Sequence, residues 1–244
     1  VKVVVPKVTL RILLLAVILT VLMAWGISAI PEGASTLVSP GQTRTAPAAS
    51  TVTADGGNVT QVNISASSQT QAWQGFFGEV NGSIVLEDTS GDLFFSWNIT
   101  NISGEIYASR DSAIVFASIT PNNNCSIDNV LTGFGLSDSV NNTFINNSNR
   151  AIQVGTVAIN ASTACAVYTY ISSAPQSTSF NEMILTDDPN NLTNASVGGN
   201  TSVYTTVINS NTVGFDGVTH DYQLLVPVNR TSGFNTYAFY AELG

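Results

Sequence analysis

The chain has 244 residues, 44% of them hydrophobic and 9% charged, with sixteen acidic residues against seven basic ones and a formal net charge of −9. All sixteen acids lie at Glu32 or later, where only Arg44, Arg110, Arg150 and Arg230 oppose them, so this part carries −12 and contains no lysine. A surface so acidic, with no run of arginines to follow a phosphate backbone, excludes nucleic acid and repels anionic lipid.

Lys2, Lys7 and Arg11 precede an uncharged, largely apolar run from Ile12 to Ile30, which ends at Pro31, Glu32 and Gly33. A membrane-crossing helix needs about 20 such residues, and the core of a signal peptide roughly 7 to 15. Residues 1–30 therefore read as one N-terminal hydrophobic helix, either a signal peptide cut near Ala24-Trp25-Gly26 or an uncleaved membrane anchor. On both readings the basic flank stays in the cytoplasm and the chain beyond Pro31 is exported. A type IV pilin leader is disfavoured, because Arg11 abuts the apolar run and no glycine or alanine stands at that junction.

Residues 31–57, rich in Ser, Thr, Ala, Pro and Gly, read as an extended arm or linker. Residues 58–244 read as one glycosylated domain. There the apolar residues recur at a period of two, first with Val62, Ile64 and Ala66 alternating against Gln61, Asn63 and Ser65. Further strands are expected at 72–80, 83–87, 93–99, 105–109, 113–118, 151–159, 165–171, 182–186, 203–208, 222–228 and 236–243. Asn81-Gly82 predicts a type I′ hairpin, since both central residues of that turn need positive φ, and Ser90-Gly91-Asp92 and Gly198-Gly199-Asn200 predict similar reversals. Roughly eleven or twelve such strands describe an all-β fold, an antiparallel β-sandwich of pilin or Ig-like type. The last strand is so regularly patterned, with Tyr237, Phe239, Ala241 and Leu243 on one side, that it is expected inside the sheet.

Thirteen Asn-x-Ser/Thr triplets stand in the exported part, at Asn58, Asn63, Asn81, Asn98, Asn101, Asn124, Asn141, Asn146, Asn160, Asn191, Asn194, Asn200 and Asn229. A chain this rich in Asn, Ser and Thr produces roughly half that number by chance, and the excess predicts an N-glycosylated extracellular protein. Asn63, between Val62 and Ile64, is expected on the outward side of its strand. Cys125 and Cys165, an even pair in an oxidising compartment, are expected to form one disulfide.

Few residues suggest reaction chemistry. His220 is the sole histidine and no Gly-x-Ser-x-Gly elbow accompanies it, so it reads as a turn residue rather than part of a triad. Glu87-Asp88 and Asp187-Asp188 are adjacent and face opposite ways on a strand, unlike glycosidase carboxylates set across a cleft. The loop at Asp187-Asp188-Pro189-Asn190-Asn191 offers oxygen ligands for Ca2+ but lacks the spacing of an EF-hand. No other cofactor is expected, and the chain is not expected to be an enzyme. Glycines in Trp73-Gln74-Gly75-Phe76-Phe77-Gly78 mark a bulge or a close backbone approach, with the aromatics serving the core or, alternatively, a sugar-stacking platform.

That segment, the following Gly82-Ser83-Ile84 strand and the closing Tyr237-Ala238-Phe239-Tyr240-Ala241-Glu242-Leu243 resemble a domain recurrent in secreted archaeal proteins. The resemblance covers about half of the exported part. The plan of leader, arm, glycosylated sandwich and few charges also looks like the subunits of archaeal thread filaments. It implies homo-oligomers joined by donor-strand complementation, an extended segment within residues 27–57 filling a sheet edge in the next copy. Two other expectations stay open. An uncleaved leader implies a membrane-anchored surface-layer or adhesin glycoprotein, and a cleft lined by Trp73 or Trp97 with Asp88 or Glu105 implies a secreted carbohydrate-active or sugar-binding protein.

Overall fold

The computed structural model describes residues 30–126, 138–145, 150–160, 164–168, 170–171, 174–175, 179–187, 202–231 and 233–244. The apolar run before Ile30, the sequons at Asn146, Asn191, Asn194 and Asn200, Asp188 and the Gly198-Gly199 reversal lie outside them. Among the described residues no helix is long and apolar enough to cross a membrane.

In chain order the elements are β1 (Glu32–Gly33), β2 (Trp73–Gly78), β3 (Ser83–Glu87), β4 (Leu93–Asn98), β5 (Gly104–Ser109), a 3-10 turn (Phe116–Ser118), β6 (Thr120–Pro121) and α1 (Val140–Thr143). There follow β7 (Ile152–Val154), β8 (Val157–Ile159), β9 (Ala166–Val167), β10 (Tyr170–Ile171), β11 (Ala174–Pro175), β12 (Glu182–Thr186) and β13 (Ser202–Val207). The chain closes with β14 (Thr212–Val213), β15 (Thr219–His220), β16 (Tyr222–Pro227) and β17 (Ala238–Leu243). The structure is all-β with antiparallel sheets, as the alternation predicts.

The principal sheet has seven strands in the order β1-β17-β5-β13-β12-β6, and β9 shares the outer side of β12 with β6. Opposite β12, Pro121 and Thr120 take Leu185 and Thr186 while Val167 and Ala166 take Glu182 and Met183. β17 does lie inside the sheet, between β1 and β5.

Both faces of this sheet are covered, in a sandwich-like stacking. Successive side chains of a strand point to opposite faces, so β13 sends Val203 and Val207 one way and Tyr204 the other. On the first face Tyr107, Met183, Leu185, Val203 and Val207 pack beneath the β7–β8 hairpin and the 3-10 turn. On the second, Ala108, Ile184 and Tyr204 pack against Leu224 and Val226 of the β2–β16 ribbon, with Phe144 beside α1 and Cys165. The buried Glu182 ties ribbon to sheet, its Oε2 accepting the Leu225 N–H at 2.7 Å. Burial pushes this carboxyl well above the usual range. The disulfide between Cys125 and Cys165 is formed, closing a span of 40 residues.

Several strand expectations are corrected. Residues 58–66 form no strand, and Ile64 is 86% exposed. Alternation there finds no partner edge, so the outward placement of Asn63 follows from an extended, solvated backbone rather than from a pleat. Residues 113–118 form no strand and end in the 3-10 turn instead, because Asp111 Oδ1 accepts the Ala113 N–H at 2.8 Å and the two side chains that reach the core, Phe116 and Ile119, are three residues apart. Residues 151–159 are a hairpin and not one strand. Gly155 reverses the chain with φ +55, a positive angle at the first loop position as in type II′ turns. The expected strand 165–171 is interrupted into β9 and β10.

The Asn81-Gly82 hairpin is likewise absent. Neither residue has positive φ, and β2 pairs with β16 rather than β3. The buried Asp221 decides this, its Oδ2 accepting the Val80 N–H and its backbone N–H donating to Gly78, both at 2.8–2.9 Å. Tied there, the chain leaves β2 and opens β3 as part of a new hairpin with β4. The Ser90-Gly91-Asp92 reversal stands, with Gly91 at φ +84. The glycines of β2 make no bulge, since its register with β16 runs unbroken and a side chain at Gly75 would meet open space.

Candidate functional site

Three features stand out from the core, and the first is the outer edge of β17. Glu32 and Gly33 pair with Ala241 and Tyr240, and the Ala34 N–H donates to the Phe239 carbonyl at 3.0 Å. This short strand occupies the edge of its own sheet. Beyond it residues 35–71 are exposed throughout and form no strand. Arg44 pins part of that stretch by donating to Ser67 Oγ at 2.7 Å and to its carbonyl at 2.9 Å.

The second feature is the β3–β4 hairpin, whose residues are exposed on both faces. Cross-strand pairs share a face, so the pairs Ile84–Trp97 and Leu86–Phe95 create one apolar side. Phe95 and Trp97 touch on it, with ring centroids 4.5 Å apart. The opposite side carries the pairs Ser83–Asn98 and Val85–Ser96. The tip bears Glu87, Asp88 and Asp92, and the Asp92 and Ser90 N–H groups hold the Asp88 carboxyl below the usual range. At the base, a side chain on Gly82 would collide with Leu243, so the hairpin leaves the domain beside the end of β17.

The third feature is a carboxylate pair. Glu105 of β5 stands opposite Glu242 of β17, both buried on the first face. Glu242 is engaged, accepting the Gly155 N–H and the Tyr107 hydroxyl at 3.0 Å. Glu105 instead lines an open cleft of about 450 Å³ together with Arg150 and Asn160. Burial and then the Glu242 charge push Glu105 up to about 7, with Arg150 pulling the other way. This makes Glu105 a proton-exchanging group near neutrality.

The remaining candidates do not converge. Trp73 is half-buried, donating its indole N–H to the Asp138 carbonyl at 2.7 Å and packing on Phe144. Trp97 and Asp88 lie on the hairpin, and Glu105 faces a cleft that neither tryptophan lines. Neither tryptophan therefore shares the cleft of Glu105. His220 is not the turn residue expected but the buried end of β15, paired with Thr212, with Nε2 3.0 Å from Asp216 Oδ1 and its ring against Phe77 and Phe215. Asp187 lies at the end of β12, where its carbonyl accepts the Ser118 hydroxyl, and among the described residues no group of three or more His, Cys, Asp or Glu side chains gathers as a metal site would need.

Of the sequon asparagines within the described residues, Asn58, Asn63, Asn81, Asn98, Asn101, Asn141 and Asn160 are exposed, while Asn124 and Asn229 are half-buried. Asn124 and Asn229 each accept, through Oδ1, the backbone N–H of the third residue of their own triplet, Ser126 and Thr231. Sequence reasoning missed the apolar hairpin face and the Glu105–Glu242 pair. The consecutive Leu93-Phe94-Phe95 was a usable signal for the first, whereas the second depends on a register between strands 137 positions apart that no local pattern encodes.

No protein-family model matches the chain, and no curated protein or solved structure matches it.

Proposed function

We propose that this chain is an exported structural subunit of an archaeal extracellular filament, with a pilin or Ig-like sandwich whose N-terminal strand is exchanged between neighbouring copies. The observation that carries the reading is β1, a short strand on a sheet edge joined to the domain only by the exposed stretch 35–71. At roughly 3.3 Å per residue that stretch spans up to about 120 Å, whereas a domain of this size is about 40 Å across. The same strand can therefore satisfy the β17 edge of its own copy or of the next one, at equal gain in hydrogen bonds. The exposed sequon asparagines support an outer surface carrying N-linked glycans, which would add solubility that charge does not supply.

The alternative is a membrane-anchored surface-layer or adhesin glycoprotein. It is favoured by β1 lying on its own sheet, which leaves the N-terminal segment as a tether. Electron microscopy of the full chain purified from its own cells separates the two. Ordered fibres are expected, and Ala34→Pro, which deletes the N–H donated to Phe239, is expected to abolish them while the domain stays folded. Dispersed particles from the unaltered chain would overturn the filament reading. Mass spectrometry before and after glycan release tests occupancy of the sequons.

A further inference from the structure

The apolar side of the β3–β4 hairpin has no cover within the described domain. Ile84 is 58% exposed, Leu86 and Phe95 each 52%, and Trp97 49%. Together they leave on the order of 400–500 Å² of apolar surface in water, within the range that marks interaction sites. A two-stranded ribbon is also marginal on its own and needs packing against something to persist.

We infer that this face is an interface with a second copy of the same chain, each hairpin covering the other through Ile84, Leu86, Phe95 and Trp97. The inference deepens the self-association proposed above and rests on that reading only in taking the partner to be the same chain. Area allows it. Doubling the patch across a two-fold axis gives about 800–1,000 Å², the size of a weak, concentration-dependent pairing rather than of a permanent one.

Shape and charge point the same way. A flat face with an aromatic pair beside two aliphatics is self-complementary, as an isologous contact requires. A two-fold arrangement running tip to base also sets the acidic tips, with Glu87, Asp88 and Asp92, far from one another. A bilayer is the weaker occupant, because a tip of three carboxylates resists both apolar insertion and anionic headgroups. The opposite side, with Ser83, Ser96 and the sequon at Asn98, leaves a glycan clear of the paired faces.

The test uses the full chain with Ala34→Pro, so that strand exchange is removed and only hairpin pairing remains. Sedimentation should show a dimer, and Phe95→Ser with Trp97→Ser should lower the mass twofold. A monomer before the hairpin change, an unaltered dimer after it, or capture of the chain by vesicles of neutral or anionic lipid in place of dimerisation would each overturn the inference. If the Ala34→Pro chain does not fold, Leu86→Cys in the otherwise intact chain serves instead. Mild oxidation should then join copies through this position, and absence of such a product would overturn the pairing. Fibres that persist in the Ala34→Pro chain would sink the strand-exchange reading alone.

Discussion

β13 and β4 are each six residues long, yet their chemistry and their surroundings are crossed. β13 reads Ser-Val-Tyr-Thr-Thr-Val and is buried along its whole length, whereas β4 reads Leu-Phe-Phe-Ser-Trp-Asn and is exposed along its whole length. Hydrophobicity alone would place them the other way round. What buries β13 is position, for it sits between β5 and β12 with a layer on each face, and its hydroxyls are carried in with it. What leaves β4 in water is connection, since the Asp221 clamp turns the chain out of β2 and commits β3 to a hairpin that the domain does not cover.

Four measurements test this contrast. The largest effect is expected at Gly104, where φ is +118 and a side chain would run into the Glu242 carbonyl of the adjacent strand. Gly104→Val should cost about 4 kcal/mol or more and leave little folded protein by circular dichroism, because neither strand can move aside inside the sheet. Next, removing both thiols with Cys125→Ser and Cys165→Ser should cost about 3–4 kcal/mol in denaturant titrations, as the forty-residue loop regains its freedom when unfolded.

A slightly smaller effect is expected from pH. The Glu105 carboxyl is raised from 4.5 to about 7 in the folded chain, so the fold binds a proton that the unfolded chain has released. The associated stability is fully present below about pH 4.5, falls as pH rises towards 7, and is gone above it, a loss on the order of 3 kcal/mol. Raised Glu182 and Glu242 act in the same direction. Denaturant midpoints measured across that range should decline, and Glu105→Gln should flatten the decline. The smallest effect belongs to the hairpin. Phe94, 82% exposed and unpaired where the β3–β4 register shifts, should tolerate Phe94→Ser within about 0.5 kcal/mol of global stability. A loss as large as that at a core position would show that the hairpin is part of the cooperative core after all.

Much of the fold was legible, and the limits of that reading have causes. β3, β12 and β17 emerge where short alternating runs are bounded by turn residues, and the disulfide follows from two cysteines in an oxidising compartment. Alternation at Val62, Ile64 and Ala66 misled because a strand also needs a free edge, and that of β17 is taken by β1. Asn81-Gly82 misled because a local turn preference of a fraction of the total stability yields to a buried carboxylate holding two distant backbone segments. The candidate site was less legible still. Glu105 could be named from the sequence, but its partner Glu242, its cleft with Arg150 and its raised proton affinity exist only once β5 and β17 are aligned. The uncovered face of the hairpin is likewise a property of what does not pack on it.

The stretch from 35 to 71 contains a single basic residue, Arg44, and its guanidinium is clasped by Ser67. A trypsin-like protease, which cuts after lysine or arginine, therefore meets one susceptible bond in an otherwise fully accessible tract. Once that bond is cut, the peptide bearing Glu32 and Gly33 is held, among the described residues, by three residues' worth of sheet contact and the Arg44–Ser67 hydrogen bonds. The fate of this one small fragment, lost to the supernatant or held by a polymer, thus reports where the strand was lodged.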